Sequence, residues 1–224
     1  MRHDSVTSIT APARAEPDPR RRLPAADRRE LILTAALDAF AAGGDYHGTS
    51  LVDVAARAGV SKALIYEHFG SKRELHGALL EAYVSELLEE VLLAVAAEEP
   101  GEERLRAGLD AFFAFVERRR DAWRMLFRNA DDPEIARWQE RLRREAAVTI
   151  TARMAADRPA AAHLDPAEAE VVVPMLAQQL LGSVQFLANW WDEHREIPRE
   201  RILATAMDFI WVGVDRLGQG ERWG

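Results

Sequence analysis

Two short apolar-faced segments joined across one glycine constrain this 224-residue chain more than any other feature. They lie within Thr49 to Glu74, TSLVDVAARAGVSKALIYEHFGSKRE. Ser50 and Asp53 have the S-x-x-D spacing of a capping box, which satisfies two backbone N–H groups at a helix start. Behind it, Leu51, Val54, Ala55 and Ala58 recur at helical spacing and give one apolar face. Gly59 can turn into the left-handed region without steric cost, and Val60 fills the angle between the helices. Ser61 then caps a second helix whose inward positions are Ile65 and Phe69. Lys62, Ala63, Leu64, Tyr66, Glu67 and His68 are left on or near its outer surface. Gly70 stops that helix, and Ser71-x-x-Glu74 starts another. This is the layout of a helix-turn-helix, whose second helix suits a DNA groove.

At these residues the chain resembles the TetR family of bacterial transcriptional repressors. The family's recognition helix and its exit look like V-[ST]-x-x-x-[LI]-Y-x-H-F-x-[SN]-K-x-x-L, and this chain reads VSKALIYEHFGSKREL. Specific motifs carry the resemblance from Arg28 to about Tyr83, and beyond them only helix number, order and length do. The resemblance implies that Tyr66, His68 and Lys72 touch the DNA backbone. A phenol can donate to a phosphate oxygen, and Lys72 adds charge to a helix N-terminus that already attracts anions. Only two of the 29 basic residues are lysines, Lys62 and Lys72, and both flank the recognition helix. Thr49, Ser50 and Ser61 are expected to serve as caps and at the DNA surface. For base reading, Lys62 can donate to guanine, and Ala63 or Leu64 can meet a thymine methyl. Glu67 can accept from a cytosine amino group or remain solvated or salt-bridged.

The charge is distributed unevenly. The net −8 divides into 11 basic and 10 acidic residues through Leu75 and 18 basic and 27 acidic afterwards. A large acidic part discourages indiscriminate attachment to nucleic acid and leaves affinity to a few placed contacts. Three segments follow: a Pro- and Arg-rich tail over 1–25 expected to be disordered, a DNA-binding head over 26–75, and a helical effector-binding and dimerisation part over 76–224. The tail ends in Arg20-Arg21-Arg22, and could enter a minor groove or stay solvated. The first helix is expected from Asp27, burying Leu33, Leu37 and Phe40 before Gly43-Gly44.

Further helices are expected from Ser71 to about Glu98, Glu102 to Arg119, Ala122 to Asn129, Pro133 to Ala156, Pro166 to Trp191 and Pro198 to Leu217. Proline opens three of them, Asp165-x-x-Glu168 makes another capping box, and nothing alternates like a strand. The fold class is therefore all-α, with about nine helices.

The helix from Pro166 is apolar on more than one side, so it requires cover from two directions. One is its own core. The resemblance implies that the other is a second copy, through a bundle of the last two helices using Val172, Gln179, Gly182, Ser183, Phe186, Trp190, Thr205, Phe209 and Val212. Such a homodimer would set two recognition helices about one DNA turn, ~34 Å, apart on a palindromic operator. The middle helices hold an aromatic and methionine set that can line an effector cavity or simply fill a core. Its candidates are Phe112, Phe115, Trp123, Phe127, Trp138 and Met154, faced by Met175, Gln178, Gln179 and Phe186. That lining suits a small, largely apolar effector whose binding releases a repressor from its operator.

Other classes fit poorly. Without cysteine there is no disulfide framework, thiolate zinc site or cysteine nucleophile, which suits a reducing cytoplasm. The first 24 residues lack a signal's apolar stretch, and no apolar run is expected to approach the ~18 residues a membrane helix needs. The six histidines, His3, His47, His68, His76, His163 and His194, form no metal-binding motif. No phosphate cradle, nucleophile elbow or dinucleotide fingerprint is present, so neither enzyme activity nor a cofactor is expected. The rival reading is a helical small-molecule-binding or protein-interaction module with a non-regulatory DNA-binding head.

Overall fold

The structure is a computed structural model that describes residues 24–43, 46–127, 133–156 and 164–221, except for the side chains at 125, 126 and 218. The tail through residue 23, Gly44, Asn129, Asp131, Asp132, His163 and the Met125 side chain lie outside these limits. Among the described residues there are nine α-helices and no strand.

Three helices make the head: α1 (Ala25–Gly43), α2 (Leu51–Ala58) and α3 (Lys62–Phe69). α1 starts two residues before the expected Asp27, because Pro24 O accepts from the Arg28 N–H and closes the first turn earlier. Ile32, Ala35, Ala36, Ala39 and Phe40 form its buried face, whereas Leu33 and Leu37, expected inside, are only half-buried. Small alanines bring α2 close, so that Leu51, Val54, Ile65 and Phe69 join Ile32 and Phe40 in one core.

α4 (Lys72–Ala96) begins two residues after α3 and enters that core through Leu75, Leu79, Leu80 and Tyr83. Its distal half packs against α5 (Glu102–Arg118), which returns toward the head. Arg118 pairs with Glu90 and Arg119 with Glu86 across these two helices. α6 (Arg120–Phe127) then crosses toward α1, and α7 (Pro133–Ala156) lies along α4. α8 (Pro166–Glu193) and α9 (Arg199–Gly218) complete the body around a second core that includes Phe113, Trp123, Trp191 and Met207.

Asp165 caps α8 by accepting from the Glu168 N–H at 2.8 Å. Pro198 caps α9 from outside rather than occupying its first turn. Pro174 lies inside α8, where it removes one backbone donor. By length and composition alone α8 is long and apolar enough to cross a membrane, contrary to the expectation that no apolar run approaches that length. Gln178, Gln179 and Gln185 interrupt an 18-residue stretch of it whose mean hydropathy is still 1.5. Only 22% of that stretch is buried, so much of the apolar surface on α8 faces outward.

Candidate nucleic-acid interface and effector cavity

The turn between α2 and α3 is fixed by local chemistry. Ser50 Oγ accepts from the Asp53 N–H at 3.2 Å, and Asp53 Oδ2 accepts from the Ser50 N–H at 3.0 Å. The Ser50 hydroxyl also donates to Asp53 at 2.6 Å, and these bonds hold the Asp53 carboxyl below the usual carboxylate range. Gly59, at φ 63° and ψ 30°, terminates α2, and Ser61 Oγ accepts from the Leu64 N–H to start α3. α3 thereby buries Ile65 and Phe69 and presents Lys62, Ala63, Tyr66 and Glu67 on its opposite face. Lys62 Nζ lies 5.6 Å from the Tyr66 ring centre, so the two chemistries form one patch.

Several expected contacts occupy different settings. Thr49 is buried, with its hydroxyl donating to the Ala39 carbonyl at 3.2 Å, so it ties α1 to the turn and is turned away from a DNA surface. Leu64 and His68, expected on or near the outer surface, are half-buried beside the core. Lys72 is half-buried as well, with Nζ 4.4 Å from the Tyr46 ring centre and 5.9 Å from that of Phe40. Ser50 and Ser61 remain exposed at the two helix starts. Arg29, unselected from the sequence, sets its guanidinium 5.1 Å over Phe69 beside the end of α3. Its only sequence signal was the Arg28-Arg29 pair in the first turns of α1.

A cavity of about 850 Å³ occupies the body between α4, α5, α6, α7, α8 and α9. Phe112, Trp123, Phe127, Met154, Gln179 and Phe186 from the expected set line it. Trp123 is fixed within a network: its indole N–H donates to Asn189 Oδ1 at 2.9 Å, it stacks on Phe127 at 4.5 Å, and Phe112 meets it edge-on at 5.6 Å. The next residue, Arg124, grips buried Asp192 with two hydrogen bonds of 2.9 Å, which raise the Arg124 pKa above its ordinary value. Arg104, Glu140, Arg143 and Arg153 supply the charged lining. The hydrogen bond from Arg143 holds the Glu140 carboxyl below its ordinary range.

Phe115, Trp138, Met175 and Gln178 do not line this cavity. Phe115 is buried beside Tyr83 in the head-proximal core, their ring centres 6.3 Å apart. Trp138 lies against α4 at Gly77, and Met175 and Gln178 point outward from α8. The reason is one of registry, since helical spacing groups residues on a face without stating what that face meets.

The outward surface of α8 and α9 exposes Val171, Met175, Phe186, Trp190, Phe209 and Val212. Phe186 and Phe209 are each 77% exposed, an unusual position for phenylalanine. Gln179 and Thr205 are exposed too, while Val172, Gly182 and Ser183 are half-buried. The hydroxyls of Ser183 and Thr205 donate within their own helices, to the carbonyls of Leu180 and Arg201.

A helix-turn-helix head on a helical body with a half-open cavity is the architecture of a DNA-binding regulator. The chain belongs to the TetR family: the model for bacterial regulatory proteins of the tetR family matches residues 32–79, and that for the tetracyclin repressor-like C-terminal domain matches 101–213. It is a helix-turn-helix transcriptional regulator. It is 32% identical over 200 residues to the HTH-type transcriptional activator FasR of Mycolicibacterium smegmatis, covering 88% of this chain and 87% of that one. A TetR-like regulator from Rhodococcus sp. RHA1 superimposes with TM-score 0.66 at 25% identity, covering 86% of this chain and 98% of that one. FadR of Bacillus subtilis, solved in complex with stearoyl-CoA, shares the fold at TM-score 0.69 and 15% identity over 82% of this chain and 98% of that one.

Proposed function

We propose that the protein works in the cytoplasm as a homodimer that binds a palindromic operator and leaves it when a long, largely apolar effector fills the cavity. The observation that carries this reading is the pairing of an outward Lys62–Tyr66 patch on α3 with an uncovered apolar face on α8 and α9. One short recognition helix gives weak binding, and covering the apolar face with a second copy supplies the second helix. Ser50, Ser61, Lys62, Tyr66 and Lys72 supply positioning contacts, while Lys62, Ala63 and Glu67 face the bases.

The cavity lining supports an elongated effector. Val84 to Val95 of α4 border it, and eleven helical steps span about 16 Å. Phe112, Trp123 and Phe127 suit an acyl or similar tail, and Arg104 and Arg153 offer positive charge to an acidic head. The stearoyl-CoA bound by Bacillus subtilis FadR is a molecule of that form, which makes it the first probe. Repression is the proposed basal behaviour. Because the M. smegmatis relative is named an activator, a promoter reporter with the operator moved upstream tests the sign directly. Catalysis has no part in this reading, which needs binding energy only.

Selection from a random duplex pool at about 150 mM salt, where nonspecific attraction is strongly screened, tests the central statement. An enriched inverted repeat, released by stearoyl-CoA, supports it. Folded protein that enriches no repeat would overturn it.

A further inference from the structure

Trp138 is one of the expected cavity residues that the fold puts elsewhere. Gly77 is buried in α4, and a Cβ there would lie 2.6 to 2.7 Å from three atoms of the Trp138 ring. The indole therefore rests on the α4 backbone itself. On one side of this contact Arg73 pairs with Glu134 at 2.7 Å, and on the other Arg141 pairs with Glu81. The contacts advance in the same direction along both helices, so the start of α7 lies parallel to the start of α4. Ala136, Gln139 and Glu140, the neighbours of Trp138, line the cavity, and α7 continues along it to Met154. α7 thus faces both the cavity and the segment of α4 that begins two residues beyond the recognition helix.

We propose that the fit of Trp138 onto Gly77 is the positioning contact that sets the tilt of the head against the body, and that a ligand changes that tilt by displacing α7. The second half of this statement rests on the cavity being the effector site. The flanking ion pairs are about half exposed and supply register more than energy. The ring supplies the position, because a close-packed side chain against backbone has no slack to absorb displacement.

The absence of native cysteine makes the test direct. Ala56→Cys on α2 and Arg106→Cys on α5, both at exposed positions, accept spin labels, and pulsed electron resonance reads the head-to-body distance in the whole chain with a reference that does not ride on α7. Gly77→Ala should shift that distance by about 2 Å, since the new methyl must clear the ring. Adding Trp138→Leu should return the distance to within about 1 Å of the parent, as the smaller side chain leaves room. Trp138→Leu alone should broaden the distribution while helix content stays unchanged. An unshifted distance in folded Gly77→Ala, or a shift of equal size in the Trp138→Leu background, overturns the proposal. Should Gly77→Ala fail to fold, an unbroadened distribution in Trp138→Leu overturns it. Stearoyl-CoA should move the parent distance and leave Trp138→Leu unmoved. A parent that stearoyl-CoA does not move argues against this effector class, and the variant distances still decide the joint.

Discussion

The head and the body use opposite solutions to packing. In the head, Ile32, Phe40, Val54 and Ile65 are completely buried and alanines close the spaces between helices. In the body, aromatic side chains surround a cavity of about 850 Å³, and two phenylalanines project from the outer face of α8 and α9. The head is complete within one chain, whereas the body is open both internally and externally. On the proposed function, rigidity belongs where a fixed surface must match DNA, and incomplete packing belongs where a ligand and a second copy would supply the remainder.

The sharpest way to break this contrast is to charge the outer face. Phe186→Arg with Phe209→Arg should leave the helix content intact yet abolish self-association by sedimentation, and with it tight operator binding; an unchanged sedimentation coefficient would show that the face has another use. Equal deletions then compare the two interiors. Phe40→Ala should cost about 3–5 kcal/mol in urea unfolding because a tight core cannot collapse around the void. Phe112→Ala should cost about 1–2 kcal/mol, since half-buried Phe112 already borders a space, and equal costs would remove the distinction.

Arg124→Ala breaks an ion pair inside the body, between α6 and α8. It should destabilise by about 2–3 kcal/mol in the same assay, leaving buried Asp192 with the more exposed Arg195 as partner. At the head surface, Lys72→Ala should lower the slope of log affinity against log salt by about 1 without changing sequence preference. The smallest effect is acid-dependent. Asp53 has a lowered folded pKa, so its contribution is present above the unfolded value near 3.8 and is lost as pH falls through the folded value. Ser50→Ala should flatten that acid limb of a thermal-melting profile.

The helix starts were legible because caps are local chemistry. Ser50, Ser71 and Asp165 each need only a backbone N–H three residues away, and all three stand at the starts inferred for them. α1 escaped that logic because the Pro24 carbonyl, rather than a side-chain box, closes its first turn. The outward face of α3 was legible in Lys62, Ala63, Tyr66 and Glu67, for the inward pair Ile65 and Phe69 defines its opposite. Thr49 was not, because its buried bond to Ala39 crosses ten residues. Nor could the pattern separate Trp123, which borders the cavity, from Trp138, whose setting depends on a glycine 61 positions earlier. Such long-range fits leave no periodic trace along a single helix.

The two-residue junction between α3 and α4 determines how small a signal needs to be. α4 has 25 residues, a rod of about 37 Å, and its head end joins the recognition helix with almost no intervening chain. A tilt of about 5° around its distal end carries that helix about 3 Å, close to the ~3.4 Å step between successive bases. Under the proposed mechanism the joint would behave as gearing without backlash: a ligand would have only to lean on the rod for the head to lose its place by a whole letter.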